Sequence, residues 1–198
     1  MTRFLLIRHA ATDVLGKRIA GRMNGVPLAP AGYEQAHRLA RRLAGAGIRA
    51  VYSSPQERAR QTARILAGAL SEQVQIALEL DELDYGDWTG QMIDELESVP
   101  QWQAFNTARS CTRIPNGELI SEVQARVVGL MEQLRARHSE ESIALVTHGD
   151  VIRAALVYYL GSPLDLMLRL EISPASVSII EIKKHGPSIL CVNQTESM

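Results

Sequence analysis

In the stretch LLIRHAATD, residues 5–13, a run of branched aliphatic side chains is followed directly by Arg8 and His9. The overlapping run RFLLI (residues 3–7) is apolar without alternation, which is typical of a short strand buried on both faces. Two explanations of the polar pair are open at this point. Either the strand simply ends at the protein surface, or it exists to hold Arg8 and His9 at the floor of a site.

Helical periodicity recurs along the rest of the chain. The segment SPQE (residues 54–57) predicts a helix start, with Ser54 as N-cap, Pro55 at the first helical position and Glu57 completing a capping box. Apolar residues at helical spacing, and stop signals such as Gly45 and Gly47, predict the other helices. The predicted helices cover residues 30–47, 54–70, 91–105, 119–137 and 149–160.

Short apolar runs between these helices predict strands. They cover residues 3–7, 48–53, 74–78, 142–147, 176–183 and 188–193, the last two as a hairpin around KHGP. Strands that alternate with helices imply crossover connections and a mainly parallel sheet covered on both faces. We therefore predict one α/β domain over residues 1–198, a three-layer α/β/α sandwich whose closing hairpin makes the sheet edge mixed.

The composition narrows the class of protein. Hydrophobic residues make up 46% of the 198 residues, and the formal net charge of −1 predicts no general attraction to nucleic acid or to an anionic membrane. Cys111 and Cys191 lie far apart without ligand-like spacing, which argues against a disulfide framework and a zinc site. FLLI (residues 4–7) is too short for a signal peptide, and no apolar run approaches the roughly 20 residues of a membrane span. We expect a cytoplasmic protein.

Polar side chains follow two of the predicted strands at their carboxyl ends, where open α/β sheets bind ligands. Arg8 and His9 follow the first strand, and ALVTHG (residues 144–149) ends a later strand with His148 at a helix start. The helix that begins at SPQE adds Arg58 in its first turn. Guanidinium groups and helix-start amides both favour a small dianion, phosphate above all. The residues alone therefore predict an anion-binding α/β domain.

Six motifs, in order along the chain, resemble the histidine phosphatase superfamily, also called phosphoglycerate mutase-like. The resemblance runs from Leu5 to about Ile182. RHAAT is similar to the family's Arg-His-Gly-x-Thr signature, and SSPQERARQTA matches its Ser-x-x-x-Arg-x-x-Gln-Thr pattern closely. The motifs are RHAAT (8–12), PLAPAGYEQA (27–36), SSPQERARQTA (53–63), LDELDYGDWTG (80–90), PNGE (115–118) and VTHGDVIRAAL (146–156).

The resemblance implies a role for each matching residue. His9 is the nucleophile that becomes a phosphohistidine, and Glu82 is the general acid that protonates the leaving alkoxide and later activates water. Arg8, Arg58 and His148 form the phosphate pocket, and the Thr12 hydroxyl contacts the phosphoryl group. The family chemistry uses no metal and no cofactor.

Elementary chemistry sets conditions on those roles. His9 must be neutral to attack, so a hydrogen bond to a backbone carbonyl is expected to hold its tautomer. A protonated His148 would add positive charge for a transferring phosphoryl group. The acid needs a raised pKa, and on chemistry alone Glu79, Asp81 and Asp84 of ELDELD (79–84) compete with Glu82.

The chain departs from the family pattern at four positions. Ala10 replaces a glycine, Leu15 replaces a frequent asparagine, Thr89 replaces the glutamate of Trp-Glu-Gly, and Leu119 replaces a serine. If position 10 needs a positive φ, alanine there would cost about 1 kcal/mol. These departures bear on affinity and substrate choice and leave the reaction class unchanged.

The length favours the phosphatase branch, acting on a small phosphomonoester, over the mutases. Residues 91–114 carry only Arg109 and Arg113 as basic candidates, whereas glycolytic mutases carry basic insertions. Residues 91–118 are expected to cap the active site, as in broad-specificity acid phosphatases and α-ribazole phosphatases of cobalamin assembly. Three aromatic side chains could line an apolar mouth, although aromatic residues in such segments more often belong to the local core: Trp88, Trp102 and Phe105.

Several alternatives stay open. The chain could be a mutase, an α-ribazole phosphatase or a catalytically silent binder of phosphorylated ligands. A metal-dependent hydrolase would use His9, Asp13, His148 and Asp150, although these lack a tight ligand spacing. A nucleic-acid role finds no basic patch. The apolar C-terminal hairpin fits a homodimer interface as well as a sheet edge.

Overall fold

Six strands form one sheet in the computed structural model, which describes residues 1–195. They are β1 (Thr2–Arg8), β2 (Ile48–Ser53), β3 (Val74–Ile76), β4 (Ser142–Thr147), β5 (Val177–Lys183) and β6 (Gly186–Gln194). The spatial order is β3-β2-β4-β1-β5-β6. Strands β1 to β4 are parallel, whereas β5 runs antiparallel to β1 and pairs with β6 as a hairpin. The predicted parallel sheet with a mixed edge is confirmed.

Six α-helices lie in residues 1–195 and cover both faces of the sheet. They are α1 (Pro30–Leu43), α2 (Glu57–Leu70), α3 (Ile93–Leu96), α4 (Pro100–Thr107), α5 (Ile120–Arg137) and α6 (Gly149–Leu160). The side chains of β1 alternate between two cores. Phe4 and Leu6 pack on the side of α5 and α6, while Leu5 and Ile7 pack on the side of α1 and α2. This alternation confirms the three-layer sandwich.

The pairing of β1 with β4 places the two histidines together. In this parallel ladder Arg8 is the partner of Thr147. The next residues of the two strands, His9 and His148, therefore leave the sheet side by side at its carboxyl edge. A main-chain hydrogen bond from His9 to the Thr147 carbonyl, 2.9 Å long, fixes this junction.

The predicted capping box at the start of α2 is wrong. The helix begins at Glu57, and Gln56 precedes it in an extended conformation with ψ of 141°. The Ser54 hydroxyl accepts from the Gln56 amide, but it also lies 2.7 Å from Nε2 of His148. Glu57 instead accepts from the side chain of Gln61, one turn further along the helix. Ser54, which the sequence predicts as a helix cap, thus contacts His148 instead.

Other element boundaries differ for local reasons. The helix predicted over residues 91–105 is the separate pair α3 and α4, because Pro100 has no amide hydrogen and begins α4. Helix α1 ends at Leu43, before the glycines at 45 and 47. Strand β3 ends at Ile76, since Leu78–Leu80 forms a 3-10 turn. Among residues 1–195, no helix combines the length and the apolar character needed to cross a membrane.

Candidate active site

His9 is held as a neutral imidazole at the end of β1. Its Nδ1 lies 2.8 Å from the carbonyl oxygen of Ala10, which only accepts hydrogen bonds, so the proton sits on Nδ1. Burial, and then the charge of Arg58, hold the pKa of His9 well below its usual value. The lone pair of Nε2 is therefore available, and it accepts from Nε of Arg58 at 3.3 Å. The predicted carbonyl contact that fixes the tautomer is confirmed.

Arg58 joins the two histidines. Its guanidinium, in a residue only 1% exposed, donates to Gly21 O (2.7 Å) and reaches Nδ1 of His148 at 3.3 Å. Since a guanidinium only donates, Nδ1 of His148 accepts, and its Nε2–H donates to the Ser54 hydroxyl. The two imidazole rings meet edge to face with centroids 5.1 Å apart. The first turn of α2 and the ends of β1 and β4 thus converge on one point.

Two buried guanidinium nitrogens at this point have no hydrogen-bond partner within residues 1–195. They are Nη1 of Arg58 and Nε of Arg8. The Arg8 guanidinium lies against the first residue of α6, where a Cβ on Gly149 would be 3.5 Å from Arg8 Nε. Leaving a charged donor buried and unpaired is unfavourable by at least about 1–3 kcal/mol. These orphaned donors indicate that the site is built to receive an anion.

Glu82 is the carboxyl group of the acidic run that faces the histidines. Its Oε2 lies 3.5 Å from Nδ1 of His148, and its Oε1 accepts from the Leu83 amide at 2.9 Å. Asp81 instead accepts from Gln56 and from the Glu82 amide, and Asp84 accepts from the Gly86 amide. Geometry therefore separates Glu82 from its neighbours, which chemistry alone could not do.

The electrostatics of the pocket favour a protonated Glu82 and a neutral His148. Burial, reinforced by the charge of Asp150, raises the pKa of Glu82 to about 7. Burial, and then the charge of Arg58, lower the pKa of His148 well below its usual value. His148 is thus neutral in the protein alone, because buried cations surround it, and its protonation during phosphoryl transfer stays a prediction.

We expect Glu82→Gln to remove a pH dependence of stability. The pKa of Glu82 is raised on folding, so its stabilising contribution is complete below about pH 4.5 and is lost as the pH rises through about 7. The wild type should therefore lose about 2–3 kcal/mol of unfolding free energy through this group from pH 5 to pH 8, and the variant should not lose it. Urea denaturation at both pH values measures this difference, with the exposed Glu34→Gln as control. An equal change in both variants would contradict the assignment.

The loop after His9 is closed by α1. Gly32 of α1 is needed there, because a Cβ would lie only 2.1 Å from the carbonyl oxygen of Ala11. Thr12 is buried at 7% exposure, whereas Leu15 is 38% exposed at the surface. Ala10 is buried without a positive φ, so its replacement of glycine carries no backbone penalty.

The aromatic residues of the expected cap do not line an open mouth. Trp88 and Phe105 are buried in the core with ring centroids 5.6 Å apart, and Trp102 packs against both. Of the two alternatives the structure supports the local core, because these rings cover the sheet side that carries α5 and α6. The two basic candidates also differ, since Arg113 is exposed and pairs with Glu122, whereas Arg109 is buried.

Arg109 joins the 91–118 segment to the site through Asp150. Asp150, in the first turn of α6, accepts from Arg109 at 3.2 Å, from Arg153 at 3.1 Å and from the Tyr85 hydroxyl at 2.6 Å. Burial alone would raise the pKa of Asp150, but the two guanidiniums bring it below the usual value. Asp150 is thus a buried carboxylate held by three donors, an arrangement unlike the metal ligand considered above.

Several residues of the site were absent from the sequence prediction. Arg22 and Arg126 both bind the backbone carbonyl of Glu82, and Ser54 contacts His148. One signal existed for Arg126: it lies at the margin of the apolar stripe of α5, between Val123 and Val127, where a charge needs a partner. Arg22 sits in an irregular loop, where periodicity carries no information.

The fold and this pocket define a class of enzymes that act on phosphate esters, because buried guanidiniums and two imidazoles meet at the carboxyl edge of a parallel sheet. Comparison with known proteins gives the family. Residues 4–195 match the model of the histidine phosphatase superfamily, branch 1. The chain belongs to this superfamily, as the six motifs predicted, and is a phosphatase-like enzyme.

Relatives match almost the whole chain. Phosphoserine phosphatase 1 of Hydrogenobacter thermophilus is 29% identical over 200 residues, which cover 98% of this chain and 93% of that protein. A mutant phosphoserine phosphatase from Entamoeba histolytica, solved in complex with phosphoserine, has a TM-score of 0.90 at 25% identity, covering 99% of this chain and 98% of that chain. The α-ribazole phosphatase from Shigella flexneri has a TM-score of 0.88 at 26% identity over 99% and 98% of the chains.

Proposed function

We propose that the protein is a metal-independent phosphomonoesterase that hydrolyses a small phosphorylated metabolite through a phosphohistidine on His9. The observation that carries this proposal is the pair of buried, unpartnered guanidinium nitrogens on Arg8 and Arg58 beside a neutral His9. These donors supply the spread positive charge that a transferring phosphoryl group requires. Hydrolysis needs in addition a nucleophile and an acid, which His9 and Glu82 provide.

In the first step Nε2 of His9 attacks phosphorus. The N–P bond forms as the bond between phosphorus and the ester oxygen breaks, and Glu82 gives its proton to the departing alkoxide. A carboxyl group with a pKa of about 7 is still about half protonated at neutral pH and is acidic enough to donate. The Nδ1 proton of His9, held by the Ala10 carbonyl, lets the ring carry the positive charge that develops.

In the second step the Glu82 carboxylate takes a proton from water. The oxygen of this water attacks phosphorus, the N–P bond breaks, and His9 returns to its neutral form. Arg8, Arg58 and the Thr12 hydroxyl hold the phosphoryl oxygens in both steps. The negative charge of the phosphoryl group raises the pKa of His148, so this ring gains its proton when the group is bound.

The cap is the proposed source of substrate choice. Residues 91–118 reach the pocket through the Arg109–Asp150 ion pair, and this segment carries no other buried basic side chain within the described residues. Two relatives named above are phosphoserine phosphatases, so phosphoserine is the first candidate, followed by α-ribazole phosphate and 3-phosphoglycerate.

The experiment is hydrolysis of p-nitrophenyl phosphate and of this substrate panel between pH 5 and 8 with EDTA present. Turnover that EDTA leaves unchanged supports the proposal, whereas loss of turnover on metal removal favours the metal-dependent hydrolase. Mutase activity on 3-phosphoglycerate primed with its bisphosphate, in place of hydrolysis, would support a mutase. Phosphate binding without turnover of any kind would identify a silent binder.

Arg58→Met should weaken binding of inorganic phosphate by about 10²-fold, because it removes a buried donor from the pocket without a replacement. Phosphate is therefore expected to raise the Tm of the wild type and to leave that of the variant unchanged. Arg64→Met, an exposed substitution on the same helix α2, is the matched control. If phosphate raised the Tm of both variants equally, Arg58 would not be part of the phosphate site.

A further inference from the structure

Two arginines from distant parts of the chain donate hydrogen bonds to the backbone of Glu82. The Glu82 carbonyl accepts from Nε of Arg22 at 2.9 Å and from Nη2 of Arg126 at 3.1 Å. Arg126 also donates through Nη1 to the carbonyl of Glu79 at 2.6 Å, so its planar fork holds two points of the acidic run. The carboxyl group of Glu82 remains directed toward His148.

Glu118 ties the two arginines to each other. Its Oε2 lies 2.8 Å from Nη2 of Arg22 and 3.2 Å from Nη2 of Arg126, and Oε1 accepts from Nε of Arg126 at 3.3 Å. The same carboxylate accepts from the Asp84 amide at 3.0 Å, and the Glu118 amide donates back to the Asp84 carbonyl. Arg22, Glu118 and Arg126, here called the carboxyl clamp, thus bracket residues 79–84.

The carboxyl clamp is suited to fixing the position of Glu82. The segment it holds has little regular structure, only a 3-10 turn over Leu78–Leu80, so no sheet or helix ladder fixes the position of Glu82. Bidentate guanidinium contacts are directional and strong, which suits them to this task. The Arg126 and Glu118 side chains are only 17% and 20% exposed, so water screens their pairing weakly.

We propose that Arg126, with Arg22 and Glu118, is a positioning residue that places the Glu82 carboxyl group at the leaving oxygen of the substrate. This inference rests on the proposed role of Glu82 as general acid. It extends that role by stating that the acid acts only while the clamp holds its backbone. A displacement of about 1 Å at a reacting group is enough to lower a rate by about 10²-fold.

The test uses two substrates that differ in their need for an acid. An alkyl phosphate such as glycerol 2-phosphate expels a strongly basic alkoxide, whereas p-nitrophenyl phosphate expels a phenolate that leaves without a proton. Arg126→Met is expected to lower kcat/KM, which reports the transfer to His9 and excludes the shared water step, by about 10²-fold on the alkyl ester and by less than about threefold on the aryl ester. The inhibition constant of inorganic phosphate should not change, since the clamp does not touch Arg8 or Arg58.

Further variants separate positioning from general loss of structure. Arg126→Lys keeps the charge but loses the fork, and Glu118→Gln keeps the volume, so both should show the same selective loss in smaller measure. In a Glu82→Gln background Arg126→Met should have no additional effect on the alkyl ester, because its only route to the reaction is gone. Arg113→Lys, which alters an exposed ion pair at the start of the same helix, is the control.

The outcomes are distinguishable. If Glu82→Gln itself lowers kcat/KM equally on both substrates, Glu82 is not the acid of the first step and the proposed function fails. If Glu82→Gln is selective for the alkyl ester but all three clamp variants lower both esters in parallel, or lower neither, the clamp has no positioning role. An additive effect of Arg126→Met on Glu82→Gln would overturn the inference in the same way.

Discussion

His9→Ala is expected to reduce kcat for phosphomonoesters by about 10⁴-fold or more, the scale on which loss of a covalent nucleophile is felt. The reason lies in the geometry: of the groups that meet at the carboxyl edge of the sheet, only His9 combines a nitrogen lone pair with a tautomer fixed by a carbonyl. Binding of inorganic phosphate should survive, since Arg8 and Arg58 remain. Steady-state rates and isothermal titration with phosphate measure the two effects.

His37→Ala is the control for this experiment, because His37 is an exposed histidine on α1. Rapid quenching in alkaline detergent, in which an N-linked phosphoryl group survives, should trap this group from labelled substrate on the wild type and on His37→Ala, and none on His9→Ala. A His9→Ala enzyme that keeps even a tenth of its kcat would show that water attacks phosphorus directly. The protein would then still be a phosphatase, but not one with a covalent intermediate.

The second large effect is expected from Glu82→Gln, which should lower kcat on alkyl phosphates by about 10²–10⁴-fold. Wild-type kcat/KM should also fall as the pH rises through about 7, because Glu82 must be protonated in the free enzyme to act as acid. The glutamine variant has no proton to lose, so its residual activity should lack this alkaline limb. Profiles from pH 5 to 9 measure the difference.

The ionisation of the substrate itself occurs near pH 6 and is common to all variants, so it cannot create the difference. Glu34→Gln, an exposed substitution on α1, should keep the wild-type profile. A Glu82→Gln profile with an unchanged alkaline limb would assign that limb to another group. In that case Glu82 would remain a neighbour of His148 without a role in proton transfer.

Much of the fold was predictable because its signals are local. Strands β2 and β4 and helix α6 match the predicted residues, since continuous apolar runs and a helix-start glycine mark them. The location of His9 and His148 at the carboxyl edge of the sheet was predictable from their position after two buried strands. Their direct adjacency was not, because the sequence does not state that β4 lies between β1 and β2.

The failures have a common physical origin. Ser54 and Pro55 have the pattern of a helix cap, but the Ser54 hydroxyl hydrogen-bonds to His148, which comes from a distant strand. For Trp88 and Phe105 the sequence left an aromatic entrance and the local core open, and it is the packing beneath α5 and α6 that decides for the core. In each case a tertiary contact outweighs the local signal.

The insertion of β4 between β1 and β2 has a consequence for how the protein is made. The two strands that emerge first cannot pair with each other in the native order, so each exposes an unpaired edge until Ser142–Thr147 arrives. Native contacts of such high sequence separation slow folding. Catalytic competence should therefore arise late during synthesis, because a single strand both joins β1 to β2 and delivers His148. A chaperone or ligand that binds the nascent chain before Ser142–Thr147 is synthesised encounters an incomplete sheet without a phosphate site.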